Sequence, residues 1–129
     1  MESPADASVM SKVEKFLKET VNREPSINSA AVMTVDGLPL LLLMGKDEVE
    51  KLELAAAVAS LGALSEQTAN RLGIGKYQDL MLRCQRGRLL VRLIGSGYML
   101  AVIADQKAPL GAISLLIDSL VKRLRLMLK

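Results

Sequence analysis

Few side chains in this sequence can carry covalent or metal chemistry. It has no histidine, a single cysteine, Cys84, and no carboxylates in a metal-ligand or acid–base spacing. A zinc centre built from His and Cys, or a nucleophile paired with His, therefore cannot be assembled from one copy of the chain. Cys84 excludes an intrachain disulfide by being alone, and its alternating apolar surroundings make it read as a small buried hydrophobe instead of a reactive thiol. The expectation is a protein that is not an enzyme and holds no metal or cofactor.

Two glycine–lysine pairs, Gly45-Lys46 and Gly75-Lys76, invite a phosphate-loop reading. The motif needs an earlier glycine where Leu40 and Asn70 stand, and a Ser or Thr where Asp47 and Tyr77 stand, so neither pair qualifies. Gly95-Ser96-Gly97 lacks a third glycine and joins two strand-like runs, whereas a dinucleotide fingerprint opens a helix. It reads as a hairpin turn. The remaining polar signal is a group of arginines, Arg83, Arg86, Arg88 and Arg92, which we take as a possible partner surface. Arg86 and Arg88, at a hairpin tip, are the candidates for an arginine offered to another protein's nucleotide. Arg83, Arg88 and Arg92 would alternatively attract an acidic surface.

Composition narrows the function classes further. Half of the 129 residues are hydrophobic, yet Phe16, Tyr77 and Tyr98 are the only aromatics and Trp is absent, so the core is aliphatic. Grooves for single-stranded nucleic acid and sites for sugars use ring faces that this chain lacks. A formal charge of +3 is also small for a duplex binder, so no nucleic-acid partner is expected. The start, Met-Glu-Ser-Pro-Ala-Asp, is not a secretory signal. The charge-free stretch from Leu54 to Ser65 is shorter than the roughly 18 apolar residues of a membrane span. A cytoplasmic protein with no transmembrane segment is expected, with a disordered lead over residues 1–7 and one domain over 8–129.

The elements that must position these residues follow from periodicity. Val9, Val13, Phe16, Leu17 and Val21 recur at helical spacing, ending before Pro25. Ile27 to Val35 and Leu38 to Met44 flank Asp36-Gly37, a hairpin signal. Pro39 cannot donate to a ladder and so belongs on a sheet edge. A long helix, capped by Asp47 or a neighbour, runs to about Leu72, where Gly73 supplies a left-handed stop. Three strands follow at Leu80–Gln85, Arg88–Ile94 and Tyr98–Ala104, with a two-residue turn at Arg86-Gly87 that pairs Cys84 with Leu89, Leu82 with Val91, Arg83 with Leu90 and Met81 with Arg92. A last helix from about Leu110 ends in Lys122, Arg123, Arg125 and Lys129, as the helix dipole favours. The order is α-β-β-α-β-β-β-α, a layered α/β arrangement.

The middle helix shows two apolar sides. Leu54, Val58, Leu61 and Leu72 form a bulky stripe, assigned to the sheet. Leu52, Ala56, Ala59, Ser60 and Ala63 lie roughly opposite, where small residues would admit a second helix closely. They are the expected interface of a two-fold homodimer.

Several local signals in this order resemble the roadblock type of dynein light-chain domain, over roughly Val9 to Leu128. They are Ala30-Ala31-Val32-Met33-Thr34-Val35-Asp36-Gly37-Leu38, the Ala-rich helix, Leu72-Gly73-Ile74-Gly75, Tyr98-Met99-Leu100-Ala101-Val102, and Leu110-Gly111 opening the last helix. The resemblance includes bacterial and archaeal relatives that act with small Ras-like GTPases. It implies a three-layer sandwich, with a five-stranded antiparallel sheet between the middle helix on one face and the two terminal helices on the other. Dimers would form through the middle helices and neighbouring edge strands. It also implies a non-catalytic scaffold or regulator that binds a GTPase and has no nucleotide site of its own. Two other functions stand beside it: a structural adaptor docking on a motor or membrane-associated assembly, and a small-molecule sensor with an apolar pocket between sheet and helix, for which no polar residues converge in the sequence.

Overall fold

The structure, a computed structural model, describes residues 7–43 and 48–128. Most of the expected disordered lead and the cap expected at Asp47 lie outside the described residues, while Ala7, placed in that lead, is already helical. Helix α1 (Ala7–Asn22) buries Val13, Leu17, Thr20 and Val21, the stripe its spacing requires. The Thr20 hydroxyl donates to the Phe16 carbonyl at 2.9 Å, so its burial leaves no donor unpaired.

Strands β1 (Ile27–Thr34) and β2 (Pro39–Leu43) pair antiparallel, with an irregularity where Met33 meets Pro39. The connection takes Val35-Asp36-Gly37-Leu38, wider than a two-residue hairpin: Thr34 N–H donates to Leu38 O at 2.9 Å and Gly37 N–H to Thr34 O at 3.0 Å. Gly37 has φ of 97°, the left-handed backbone that explains a glycine there.

Helix α2 (Glu48–Leu72) ends as expected at Gly73. Gly73 has φ of 65°, with Gly73 N–H on Asn70 O and Ile74 N–H on Ala69 O, a Schellman closure that satisfies two terminal carbonyls. Strands β3 (Asp79–Cys84), β4 (Gly87–Ile94) and β5 (Tyr98–Ala104) form an antiparallel meander, followed by α3 (Leu110–Met127). The five strands make one sheet in the order β2-β1-β5-β4-β3, which puts Pro39 on an edge strand and leaves β3 as the opposite edge.

Side chains alternate across this sheet, and the two faces meet different helices. Val32, Leu90, Ile94, Leu100 and Val102 pack with Val13 and Leu17 of α1 and with Ile113, Ile117 and Leu124 of α3. Ala31, Met33, Val91, Met99 and Ala101 pack with Ala55 and Val58 of α2. The three-layer arrangement, one helix against two, is as the resemblance implied.

Three expectations need correction. The β3–β4 ladder pairs Cys84 with Gly87, Leu82 with Leu89, Leu80 with Val91, Arg83 with Arg88 and Met81 with Leu90, so the turn is Gln85-Arg86. Gly87 is inside the ladder, where a Cβ would come within 3.2 Å of the Ala104 carbonyl oxygen of β5, so glycine suits this close backbone approach. The shift preserves parity, so the same residues share each face. Cys84 is exposed, because it lies at the end of an edge strand. Leu72, expected against the sheet, is also exposed, at the point where α2 closes and the chain turns away.

Candidate interaction surfaces

The outward side of α2 is set by which side it buries. Ala55, Val58, Gly62 and Ala69 face the sheet, at spacings of one helix side. Small residues therefore sit against the strands and let the helix approach closely, while Leu54 and Leu61 straddle that line half-buried. The axis of burial is thus rotated from the bulky stripe expected. Ala59, one of the expected interface residues, is half-buried at the margin of the α2–sheet cluster, and a Cβ on Gly37 would lie 3.0 Å from its own Cβ. Leu52, Ala56, Ser60 and Ala63 are exposed, with Leu52 at 59%, as is Leu64 about three turns further along the helix. A monomer gives these leucines nothing to cover them, and burying one fully is worth about 1.5–3 kcal/mol.

Apart from Leu80, which packs at the margin of the α2 cluster, the open edge β3 is exposed along its length. Leu82, on the same sheet face as α2, is 44% exposed, and Met81, on the α1/α3 face, is 49% exposed. Unpaired edge strands with apolar side chains on both faces are templates for pairing with another chain. The outward side of α2 and the β3 edge are thus two surfaces with apolar side chains left open.

The arginines are only partly grouped. Arg83 and Arg88 face each other across the β3–β4 ladder, and Arg86 lies exposed in the turn. Arg88 folds back on its own hairpin, its Nη1 donating to the carbonyl oxygens of Cys84 at 3.0 Å and Gly87 at 3.4 Å. Arg92 is separate, on the second half of β4, where it forms an ion pair with Asp118 of α3. Arg83 and Arg86 are thus the more available members of the expected partner surface.

Two features escaped the sequence reading. Tyr77 in the α2–β3 loop turns its hydroxyl toward the Met99 Sδ at 3.7 Å, beside Gly62, where a Cβ would come within 2.7 Å of that oxygen. Burial and the Glu66 carboxylate together raise its pKa above the ordinary tyrosine value. Beyond Tyr77, a groove of about 580 Å³ opens between α3 and the β3–β4 edge, lined in part by Lys76, Arg92, Asp118, Lys122 and Arg125. Among the described residues, no three His, Cys, Asp or Glu side chains gather to hold a metal ion, and no helix is long and apolar enough to cross a membrane.

A sheet of this order, clasped by one helix on one face and two on the other, can be compared with known proteins. Residues 13–104 match the model of the Roadblock/LC7 domain. The chain belongs to the Roadblock/LC7 family. An uncharacterized protein of Methanocaldococcus jannaschii is 28% identical to it over 115 residues, covering 89% of this chain and 98% of that protein. The Roadblock/LC7 domain from Streptomyces avermitilis superposes with a TM-score of 0.75 at 26% identity, over 94% of this chain and 95% of that one. MglB, solved in a tetrameric arrangement, superposes with a TM-score of 0.84 at 25% identity, over 95% of this chain and 92% of its own. Membership extends to the parts the structure leaves open, because the matched span contains both α2 and β3.

Proposed function

We propose that this Roadblock/LC7 chain is a homodimeric, non-catalytic regulator or scaffold of a small Ras-like GTPase. The observation that carries the reading is the pair of surfaces with open apolar side chains, the outward side of α2 and the β3 edge. Pairing of β3 with its two-fold copy would continue the sheet and bring the two α2 helices side by side, covering Leu52, Ala56, Ser60 and Leu82. MglB, itself found in a tetrameric arrangement, supports self-association within this fold. The GTPase would dock on the dimer surface around the α2 helices, the role the family resemblance implies. The chain's own residues offer shape and charge there, with Arg83 and Arg86 as the cations nearest the dimer edge.

Sedimentation of the wild type, of Ala56→Glu and of Leu82→Glu tests the assembly. Ala56 is a sharper probe than Ala59, because it is already exposed and its replacement leaves the sheet packing untouched. A wild-type dimer that both changes convert to a well-folded monomer supports the reading, and a wild-type monomer sinks it. The GTPase is tested by measuring hydrolysis and nucleotide exchange of Ras-like GTPases from the same organism with and without the dimer. Altered rates, lost with Ala56→Glu, are expected. Binding without any change of rate would favour the adaptor role.

A further inference from the structure

We infer that the groove between α3 and the β3–β4 edge is a docking site for an acidic segment of a partner protein. Arg92 and the α3 residues put the groove on the sheet face opposite α2, while Lys76 and Tyr77 stand where the two faces meet. Its walls come from distant parts of the chain: Lys76, Tyr77, Gln78 and Asp79 from the loop entering β3, Arg92 and Leu93 from β4, and Asp118, Val121, Lys122 and Arg125 from α3. The α3 residues fall on one helix side, so the groove runs along the helix for about two turns.

Charge inside the groove is unbalanced. Arg92 is spent on Asp118, and Asp79 is the only other carboxylate lining it. Lys76, Lys122 and Arg125 form no ion pair among the described residues. Arg123, next along α3, is occupied elsewhere, its guanidinium 4.8 Å from the Phe16 ring centroid. Three cations without an ion-pair partner, Lys76, Lys122 and Arg125, therefore line the concavity, beside Val121 of α3.

The shape selects among anions. Lys122 and Arg125 stand one helical turn apart on α3 and Lys76 lies on the other wall of a groove of about 580 Å³, so a ligand that engages all three must carry several anions. Carboxylates one helical turn apart match the spacing of Lys122 and Arg125.

Fluorescence anisotropy with a labelled peptide of repeated Leu-Glu-Glu-Ala units tests the site directly. Binding is expected to weaken as salt rises. Lys122→Glu with Arg125→Glu should weaken it at least about tenfold, and the Gln pair by less. Lys15→Glu with Lys18→Glu, on exposed positions of α1, should change it by less than about twofold. If the Glu pair fails to fold, as judged by thermal melting, the Gln pair decides. Backbone amide shifts should centre on Val121, Lys122 and Leu93. The inference is overturned if the wild type does not bind the peptide, or if the α1 and α3 changes weaken it equally. It is equally overturned if oligo-thymidylate or phosphatidylglycerol vesicles bind more tightly than the peptide.

Discussion

On the α1/α3 face, the sheet offers Val32, Leu90, Ile94, Leu100 and Val102 to two amphipathic helices, and all five are buried. On the α2 face the same sheet offers Leu80, Leu82 and Leu89 to a single helix that does not reach them fully, and Leu82 stays open. Two helices bury the first face over β1, β5 and β4 and leave Met81 of β3 exposed, whereas one helix also leaves Leu82 and its own outward Leu52 and Leu64 uncovered. The contrast also places the two proposed interactions: an apolar, self-complementary contact where apolar side chains are left open, and a charged one where cations are left over.

The largest expected effect is on the more fully covered face. Leu17 and Ile117 are essentially inaccessible and shared between the helices and the sheet, so either changed to Ala should cost about 2–5 kcal/mol of unfolding free energy. Denaturant titration of the two variants measures this. Val58→Ala, on the α2 side, removes about two methylene equivalents among already small neighbours and should cost about 1.5 kcal/mol. Equal losses at Val58 and Leu17 would mean that the α2 layer is as tightly completed as the other, and the comparison would fail.

Leu82→Glu sharpens the contrast differently. The side chain is exposed in the monomer, so monomer stability should move by less than about 0.5 kcal/mol. Dimer dissociation should rise by more than about tenfold, because the charge would be buried at the edge contact. Dilution series by light scattering separate the two quantities. A large loss of monomer stability with no change in association would place Leu82 in the chain's own core.

The amphipathic helices α1 and α3, the Gly73 stop, the edge position of Pro39 and the strand order of the meander were all legible, because each rests on a local pattern. The orientation of α2 was not. A helix with apolar residues nearly all round gives periodicity no single answer, and the preference for bulky residues against the sheet misled where close approach required Ala55, Gly62 and Ala69. The β3–β4 register failed for a similar reason. Gly87 was read as a turn residue, although its need is nearness to the β5 backbone, which is a tertiary fact. Cys84 was judged from its neighbours in sequence, whereas its exposure comes from strand order. The basic groove was invisible because Lys76, Arg92 and Lys122 meet only when α3 crosses β4.

Tyr77 offers the smallest and most local test, at the junction of the two faces. Burial and Glu66 disfavour its phenolate, so the folded chain holds this proton to higher pH than the unfolded chain does. The folded state then binds more protons over the window between the ordinary tyrosine value near 10 and the raised one, and stability falls as pH rises through it. In a Tyr98→Phe background, absorbance of the phenolate should report Tyr77 alone, with a midpoint above about 10. Gly62→Ala places a methyl 2.7 Å from the phenol oxygen, which must swing out. Helix propensity gains about 1 kcal/mol from that change, while displacing the ring costs a similar amount, so net stability should change by less than about 1 kcal/mol. The midpoint should nevertheless drop toward the ordinary value, since the displaced phenol is solvated. An unchanged midpoint would show that Glu66, and not the seat beside Gly62 and Met99, sets the proton affinity of Tyr77.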